Sequence, residues 1–455
     1  MRGMPGRRTT GLLFMTAIVS MVISAPVATA ASINVIQITH NDVIDIGPSI
    51  AVNPLNSKNL VAAWTSCDQV LCSPAGDLEH GFGCRYGASF DGGKSWVKIA
   101  PIPGVPELSL EPHVAFDKDG TAYFACFYVG DHLAHDLIQS SAIYVSKSTD
   151  GGLTWGTPAV AFGPGLGPDF EKISTNPTSG DVYVVAAFVK GNAADGGIQV
   201  FFTRSTDHGA SFSSPVQISA HDEGAWAWDA YATAGVDPGT VYVTYGVGAS
   251  TNHQFSGYDR IFIAKSTDGG MTFSPGQRLL AVAPLPVVLP NFPQTMDANM
   301  WSAVDRSSGE IYVNFVDYRN GDADVWLLRL HDTGSTFVVD GVTRVNDDPV
   351  ANGADQFFPY LSLAPSGRID ICFQDRRYAP GNTLLFTTCA YSSDGGQSFT
   401  NIQVTTEGFD GTNNEIGRYQ GQASTDRMVI PIFMGDGYPG AGVFGQEVFV
   451  ARVPL

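Results

Sequence analysis

After residue 30 no stretch of the chain repeats its apolar residues with the period of a helix, and the apolar residues gather in short runs instead. Runs such as Val182-Tyr183-Val184-Val185-Ala186-Ala187-Phe188, Val241-Tyr242-Val243-Thr244-Tyr245 and Ile311-Tyr312-Val313-Asn314-Phe315 are rich in Val, Ile and aromatic residues and are bounded by Gly, Asp and Pro. That composition predicts strands. Before each such run lies a shorter apolar segment with a small residue at its centre: Ala51, Ala115, Ser174, Ala232, Ala303, Ser362 and Ala423. Their spacings of 64, 59, 58, 71, 59 and 61 residues mark a repeated unit. A third strand, as at 142–147, and a fourth, as at 215–218, complete the unit. Seven units of four strands predict an all-β, seven-bladed β-propeller of antiparallel blades, with the small residues where the innermost strands crowd near the axis.

The two ends of the chain complement each other. The seventh unit stops after its third strand at 447–452, and Asn34-Val35-Ile36-Gln37-Ile38-Thr39 copies the fourth-strand pattern of Val216-Gln217-Ile218-Ser219. Pairing of these segments closes the ring and removes an exposed sheet edge. Residues 31–455 are therefore expected to form a single propeller domain.

Six segments share one eight-residue pattern: Ser89 to Trp96 (SFDGGKSW), Ser148 to Trp155 (STDGGLTW), Ser205 to Phe212 (STDHGASF), Ser266 to Phe273 (STDGGMTF), Ser392 to Phe399 (SSDGGQSF) and the worn Leu330 to Phe337 (LHDTGSTF). In each, an Asp can accept turn amides, a Gly can take positive φ and an aromatic ring can pack inward. The pattern resembles the Asp box, or BNR repeat, of the sialidase superfamily. Gly417-Arg418-Tyr419-Gln420-Gly421 is also similar to a Gly-Asp-Tyr-x-Gly element of secreted bacterial BNR-repeat proteins labelled sialidase-like, with Arg418 where Asp is usual. The resemblance implies a propeller acting on glycans, with the boxes structural. Sialidases, however, open their first blade with an Arg in a Phe-Arg-Ile-Pro-like motif, and Gly47-Pro48-Ser49-Ile50-Ala51 has none. An authentic exo-sialidase is not expected.

Residues 1–30 have the form of a secretory signal peptide, with Arg2, Arg7 and Arg8, an apolar run and Ala28-Thr29-Ala30 as a cleavage site. Sec export to the periplasm or the extracellular space is the expectation. Loss of the three signal arginines would take the formal charge from −19 to −22. Such a charge disfavours nucleic acid and anionic membrane as partners, and it obliges any acidic sugar to find local arginines. In an exported chain the six cysteines are free to pair. Cys372 and Cys389, on neighbouring predicted strands, are the expected pair; Cys67, Cys72 and Cys84 lie close in sequence, and Cys126 is expected as a buried free thiol.

The box turns and the hairpins joining strands one and two share a face, so the long connections, 65–83, 128–141, 246–259 and 280–298, gather on the other. Binding and catalysis are expected there. The starts of the innermost strands bring Glu111, His113, Asp169, Glu171, Lys172, Trp228, Asp229, Asn299, Trp301, Gln356, Phe358, Arg418 and Tyr419 to that mouth, and the ends of second strands bring Asp317, Tyr318, Arg319, Asp375, Arg376, Arg377 and Asp436. Carboxylates, arginines and rings in one place suit a sugar. Glu111, Glu171, Asp169, His113 and Asp229 are the catalytic candidates; Trp228, Trp301, Arg319, Arg376, Arg418 and Tyr419 are the substrate-binding ones. Asp317/Arg319 and Asp375/Arg377 also read as salt bridges between blades. His132 and His135 are a weak metal signal, and the alternating Asp322 and Asp324 a weak calcium signal; no cofactor is expected. The leading expectation is a monomeric glycoside hydrolase acting on an extracellular glycan through two carboxylates. The alternatives are a non-catalytic glycan- or protein-binding propeller, and a polysaccharide lyase using His113, Tyr128 and Arg418.

Overall fold

The Val- and Tyr-rich runs are strands whose two faces both meet neighbouring blades, which is why they carry few polar residues. All seven residues of Ile311–Asp317 and of Ile369–Asp375 are buried. The structure, a computed structural model, describes residues 32–40, 43–67, 82–106, 108–129, 141–165, 167–189, 197–220, 225–249, 257–295, 299–411, 420–436 and 446–455. Among them are seven four-stranded antiparallel sheets. Their innermost strands are Ile44–Asn53, Ser109–Phe116, Pro168–Thr175, Ala225–Ala234, Trp301–Val304, Gln356–Leu363 and Gly421–Thr425, here blades 1 to 7. The core lies between blades, in apolar clusters that each take residues from adjacent sheets. Ile33 to Leu455 cluster as one compact unit. Among the described residues no helix is long and apolar enough to cross a membrane.

The ring closes as the ends of the chain implied. Asn34–Gln37 pairs with the strand Gln446–Pro454, Asn34 opposite Arg452 and Gln37 opposite Phe449. Beyond it, the Ile38 amide donates to the Val448 carbonyl (2.7 Å), and the Thr39 hydroxyl accepts the Val448 amide (2.9 Å) while donating to the buried Glu447.

Five of the six boxes fold around their aspartate in one way, whereas Asp332 of the worn box accepts only the Gly334 amide of its own turn and otherwise holds Tyr242 and Lys265. The Asp150 carboxylate accepts the Leu153 amide (3.0 Å), the Thr154 amide (2.9 Å) and hydroxyl (2.5 Å) and the Ser148 hydroxyl (2.8 Å). The box of one blade also reaches the blade before it: Asn59 of blade 1 donates to the Gly151 carbonyl at 2.9 Å. A Cβ on Gly152 (φ +96°) would lie 2.7 Å from Val61. Asp150 itself is exposed, so Asp150→Ala frees amides that water can reach. A loss of about 1 kcal/mol, read from urea unfolding, is therefore expected. A variant as stable as the parent would show that the box turn holds itself.

Three expectations are corrected. The small position of blade 4 is Thr233, one residue beyond Ala232, because Thr233 pairs with Tyr242 as Ala115 pairs with Tyr123 and Ala303 with Tyr312. Cys126 is no free thiol: it forms a disulfide with Cys84, tying blade 2 to blade 1. The proline-rich segment after blade 4 is not wholly irregular, since Val288–Leu289 and Phe292–Thr295 form a hairpin. Cys372 and Cys389 are bonded as expected, directly opposite each other in blade 6. Cys67 is disulfide-bonded as well, and Cys72 lies outside the described residues.

Candidate active site

The mouth opposite the boxes is shaped by one device used repeatedly. Most innermost strands break register near their start, between Ile46 and Ser49, Leu110 and His113, Asp169 and Lys172, Trp228 and Tyr231, and Phe357 and Tyr360. At each break one residue is left-handed: Gly47 (φ 60°), Glu111 (57°), Phe170 (53°), Asp229 (56°) and Phe358 (50°); Asn299 (37°) holds the same offset in blade 5. Only Gly47 adopts this conformation without a Cβ penalty, so the others are held by the surrounding fold. A bulge of this kind re-aims the side chains that follow it.

The residues two places after the left-handed one converge on the axis. Trp301 of blade 5 packs at a tilt against Tyr360 of blade 6 with ring centroids 4.0 Å apart, edge-on against Tyr231 of blade 4 at 4.9 Å and at a tilt against His113 of blade 2 at 5.5 Å. Lys172 of blade 3 places its Nζ 4.2 Å over the same indole. Blades 2 and 5 are not neighbours, so contact between them can occur only at the centre of the ring. The axis is therefore plugged by side chains. In blade 7 the position is Gly421, where a Cβ would lie 2.9 Å from the Ile50 amide of blade 1.

The plug contains a buried ion pair. Lys172, 1 % exposed, donates to Asp229 Oδ1 (2.6 Å) and to the Met300 carbonyl (2.9 Å), and Asp229 Oδ2 accepts the Met300 amide (2.6 Å). One pair thus joins blades 3, 4 and 5. Burial, with the Lys172 charge second, pushes His113 down to about 3 from an ordinary value of 6.5. Such a group stays neutral when folded but binds a proton when unfolded, so stability is lost as pH falls from about 6.5 towards 3. The interval corresponds to roughly 4–5 kcal/mol. Urea midpoints at pH 7 and pH 4 should show about 3 kcal/mol of this loss, and His113→Gln should flatten it; equal slopes for both proteins would exclude His113 as the cause.

Glu111, Asp169 and Glu171, from adjacent blades, form a separate group. The Glu111 amide donates to the Thr65 hydroxyl of blade 1 (3.0 Å), and Asp169 accepts the Phe170 amide (2.9 Å). Both acids are half-buried, whereas Glu171 is completely buried. Burial, and next the charge of Glu111, push the Glu171 carboxyl well above the usual glutamate range; Asp169 adds to this, and the Phe127 and Glu171 amides offset only part of it. Glu171 therefore carries a proton where an ordinary glutamate does not.

Several candidates are used elsewhere. Trp228 is buried against Tyr258, so its ring is not presented to a ligand. Arg376 is fully buried, donates to the Pro290 and Asn291 carbonyls (2.8 and 3.0 Å) and lies 3.6 Å from Asp355. It anchors the hairpin 288–295 on blade 6, where Asn291 also reaches the Gly381 carbonyl at 2.9 Å. Arg319 grips Asp317 through Nε (2.8 Å) and Nη2 (2.7 Å) and stacks on Trp326. The Asp317/Arg319 and Asp375/Arg377 bridges lie within one blade and not between blades. Asp436 belongs to the second strand of blade 7, and Arg418, Tyr419, His132 and His135 lie outside the described residues. Tyr231 and Tyr360, unnoticed in the sequence, share the offset of Trp301; the correct blade 4 alignment would have exposed Tyr231.

For metals, Asp117, Asp119 and His208 converge on the box face within 4.8 Å. Asp117 is, however, already taken by the Asp119 and Thr121 amides and the Tyr123 hydroxyl, and Asp119 by Lys118. Asp322 accepts the Gly353 amide and Asp324 pairs with Arg344.

No family model matches the chain, and no curated protein matches it. Solved structures do. A protein of unknown function from Dyadobacter fermentans DSM 18053 is 15% identical, with a TM-score of 0.54 over 93% of this chain and 99% of that one. The Penicillium chrysogenum α-L-arabinanase complexed with arabinobiose is 15% identical, with a TM-score of 0.50 over 76% and 94%. The Hadza microbial sialidase Hz136 is 16% identical, with a TM-score of 0.47 over 84% and 75%. The likeness is one of fold.

Proposed function

We propose that this protein is a secreted glycoside hydrolase working at the axial mouth opposite the boxes, with Glu111 and Asp169 as the carboxylates that touch the sugar. The carrying observation is the cluster these two make with Glu171. Three acids stand together, and the buried Glu171 holds a proton, which leaves Glu111 and Asp169 as the two carboxylates at the mouth. Glu111, after taking up a proton from solvent, delivers it to the glycosidic oxygen. Asp169 attacks the anomeric carbon or activates water; a carboxyl separation near 5 Å corresponds to retention and a larger one to inversion. Glu171 is a positioning residue: it cannot reach a ligand, and its proton limits the charge behind the pair.

Export is supported by the sequence of residues 1–30. The lyase reading has less support, because its His113 is buried in the plug and held neutral. A stacking platform of Trp228 and Trp301 is equally unsupported, since both are buried. Reducing-sugar release across a glycan panel tests the proposal; a panel in which glycans bind but none is cleaved would replace the hydrolase with a binding module.

A further inference from the structure

We infer that Thr65 is a positioning residue for Glu111, its hydroxyl holding the left-handed backbone that turns this carboxyl to the mouth; the inference rests on the hydrolase reading above. A left-handed residue with a Cβ persists only where its surroundings fix it, and its amide, out of the strand ladder, needs another acceptor. In blade 3 that acceptor is local: the amide of the left-handed Phe170 donates to the Asp169 carboxylate just before it. In blade 2 the residue before Glu111 is Leu110, whose side chain offers no acceptor. The Glu111 amide donates instead across the seam to the Thr65 hydroxyl of blade 1, at 3.0 Å.

Thr65 is a rigid support. It is buried in the second strand of blade 1, between Ile46 of the first strand and Cys84 of the third. Val61 and Ala63 of that strand pack with Val114 and Phe116 of blade 2, so the alternate residues 61, 63, 65 and 67 present their side chains to blade 2. Leu110 packs against Cys67, two places beyond Thr65. The seam is pinned beside Thr65 as well, because Cys84 is bonded to Cys126 and its amide donates to the Ser109 hydroxyl at 3.1 Å. Branching at Cβ leaves the Thr65 side chain few rotamers, so the hydroxyl stays where the Glu111 amide meets it. Without that acceptor, residue 111 is free to return to a commoner backbone conformation, which turns its carboxyl out of place.

Thr65→Val keeps the shape and removes the acceptor, whereas Thr65→Ser keeps the acceptor. The full chain is assayed on a glycan that the wild type hydrolyses and on an aryl glycoside of the same sugar whose phenol departs without protonation. On the glycan, Thr65→Val should lose at least about tenfold in kcat with KM within about twofold, the mark of a proton transfer that has lost its aim. On the aryl glycoside most of that loss should vanish, and Thr65→Ser should recover most of the glycan activity. The ratio of the two rates does not depend on how much of a variant is folded. Ser49→Ala serves as the control for a merely loosened seam: the Ser49 hydroxyl accepts the Val114 amide between the same two blades (3.3 Å), and its removal should leave the ratio unchanged. Equal losses on both substrates in Thr65→Val, or no loss, overturn the inference and leave the hydrolase standing. Cleavage of nothing by the wild type overturns the hydrolase, and hydrogen exchange at the Glu111 amide then decides the backbone hold: exchange at least about tenfold faster in Thr65→Val but not in Thr65→Ser keeps it, and unchanged exchange removes it.

Discussion

Turnover of an unactivated glycan should fall at least about a hundredfold in Glu111→Gln and in Asp169→Asn, with the fold intact, since each change removes a proton transfer or a nucleophile. The two losses should differ with the leaving group. An aryl glycoside whose phenol departs without protonation should restore most activity to Glu111→Gln and little to Asp169→Asn. Glu171→Gln exchanges one neutral group for another, so turnover below neutral pH should change only about threefold. Its signature is instead in stability. A carboxyl with a raised folded value binds more protons folded than unfolded, so wild type loses stability relative to Glu171→Gln as pH rises above the ordinary 4.5. Urea midpoints at pH 5 and pH 8 read this directly. If Glu171→Gln abolishes turnover at every pH, the acid is Glu171 and the roles assigned here are wrong.

Lys172→Met should cost about 3–5 kcal/mol, and Asp229→Asn a similar amount, because each leaves a buried charge without its partner. The pair has side chains 1% and 5% exposed, so water cannot replace the missing partner. Changing both to apolar residues should recover part of the loss, and urea unfolding of the four proteins yields the coupling directly. Single variants costing under about 1 kcal/mol would mean that the centre of the ring is hydrated and the plug is no seal.

Much of the site was legible as a list and not as an arrangement. Glu111, Asp169 and Glu171 were among the candidates read from the starts of the innermost strands, and the charges of Glu111 and Asp169 both act on Glu171 where blades 2 and 3 meet. His113 and Trp301 were candidates too, yet lie in the plug, where packing has taken them. The Asp-x-Arg recurrence was visible, but whether Arg319 reaches along its own blade or across to the next depends on a turn that sequence does not specify. Cys126 looked like a core residue because its partner Cys84 lies 42 residues away on another blade.

The sequence by itself determined the number of blades, the closure of the ring and the excess of negative charge. These follow from local periodicity, repetition and composition, which each segment carries independently of the others. Only the tertiary structure decided which side chains own the axis. A one-residue bulge reverses the side a strand presents, and nothing in the residue types announces a left-handed Glu111, Phe170, Asp229 or Phe358. Once the ring closes, residues as distant in sequence as His113 and Trp301 are forced into contact, and the same closure buries the Lys172–Asp229 pair among three blades. That contact exists only when all seven blades are in place, so no single segment could encode it alone.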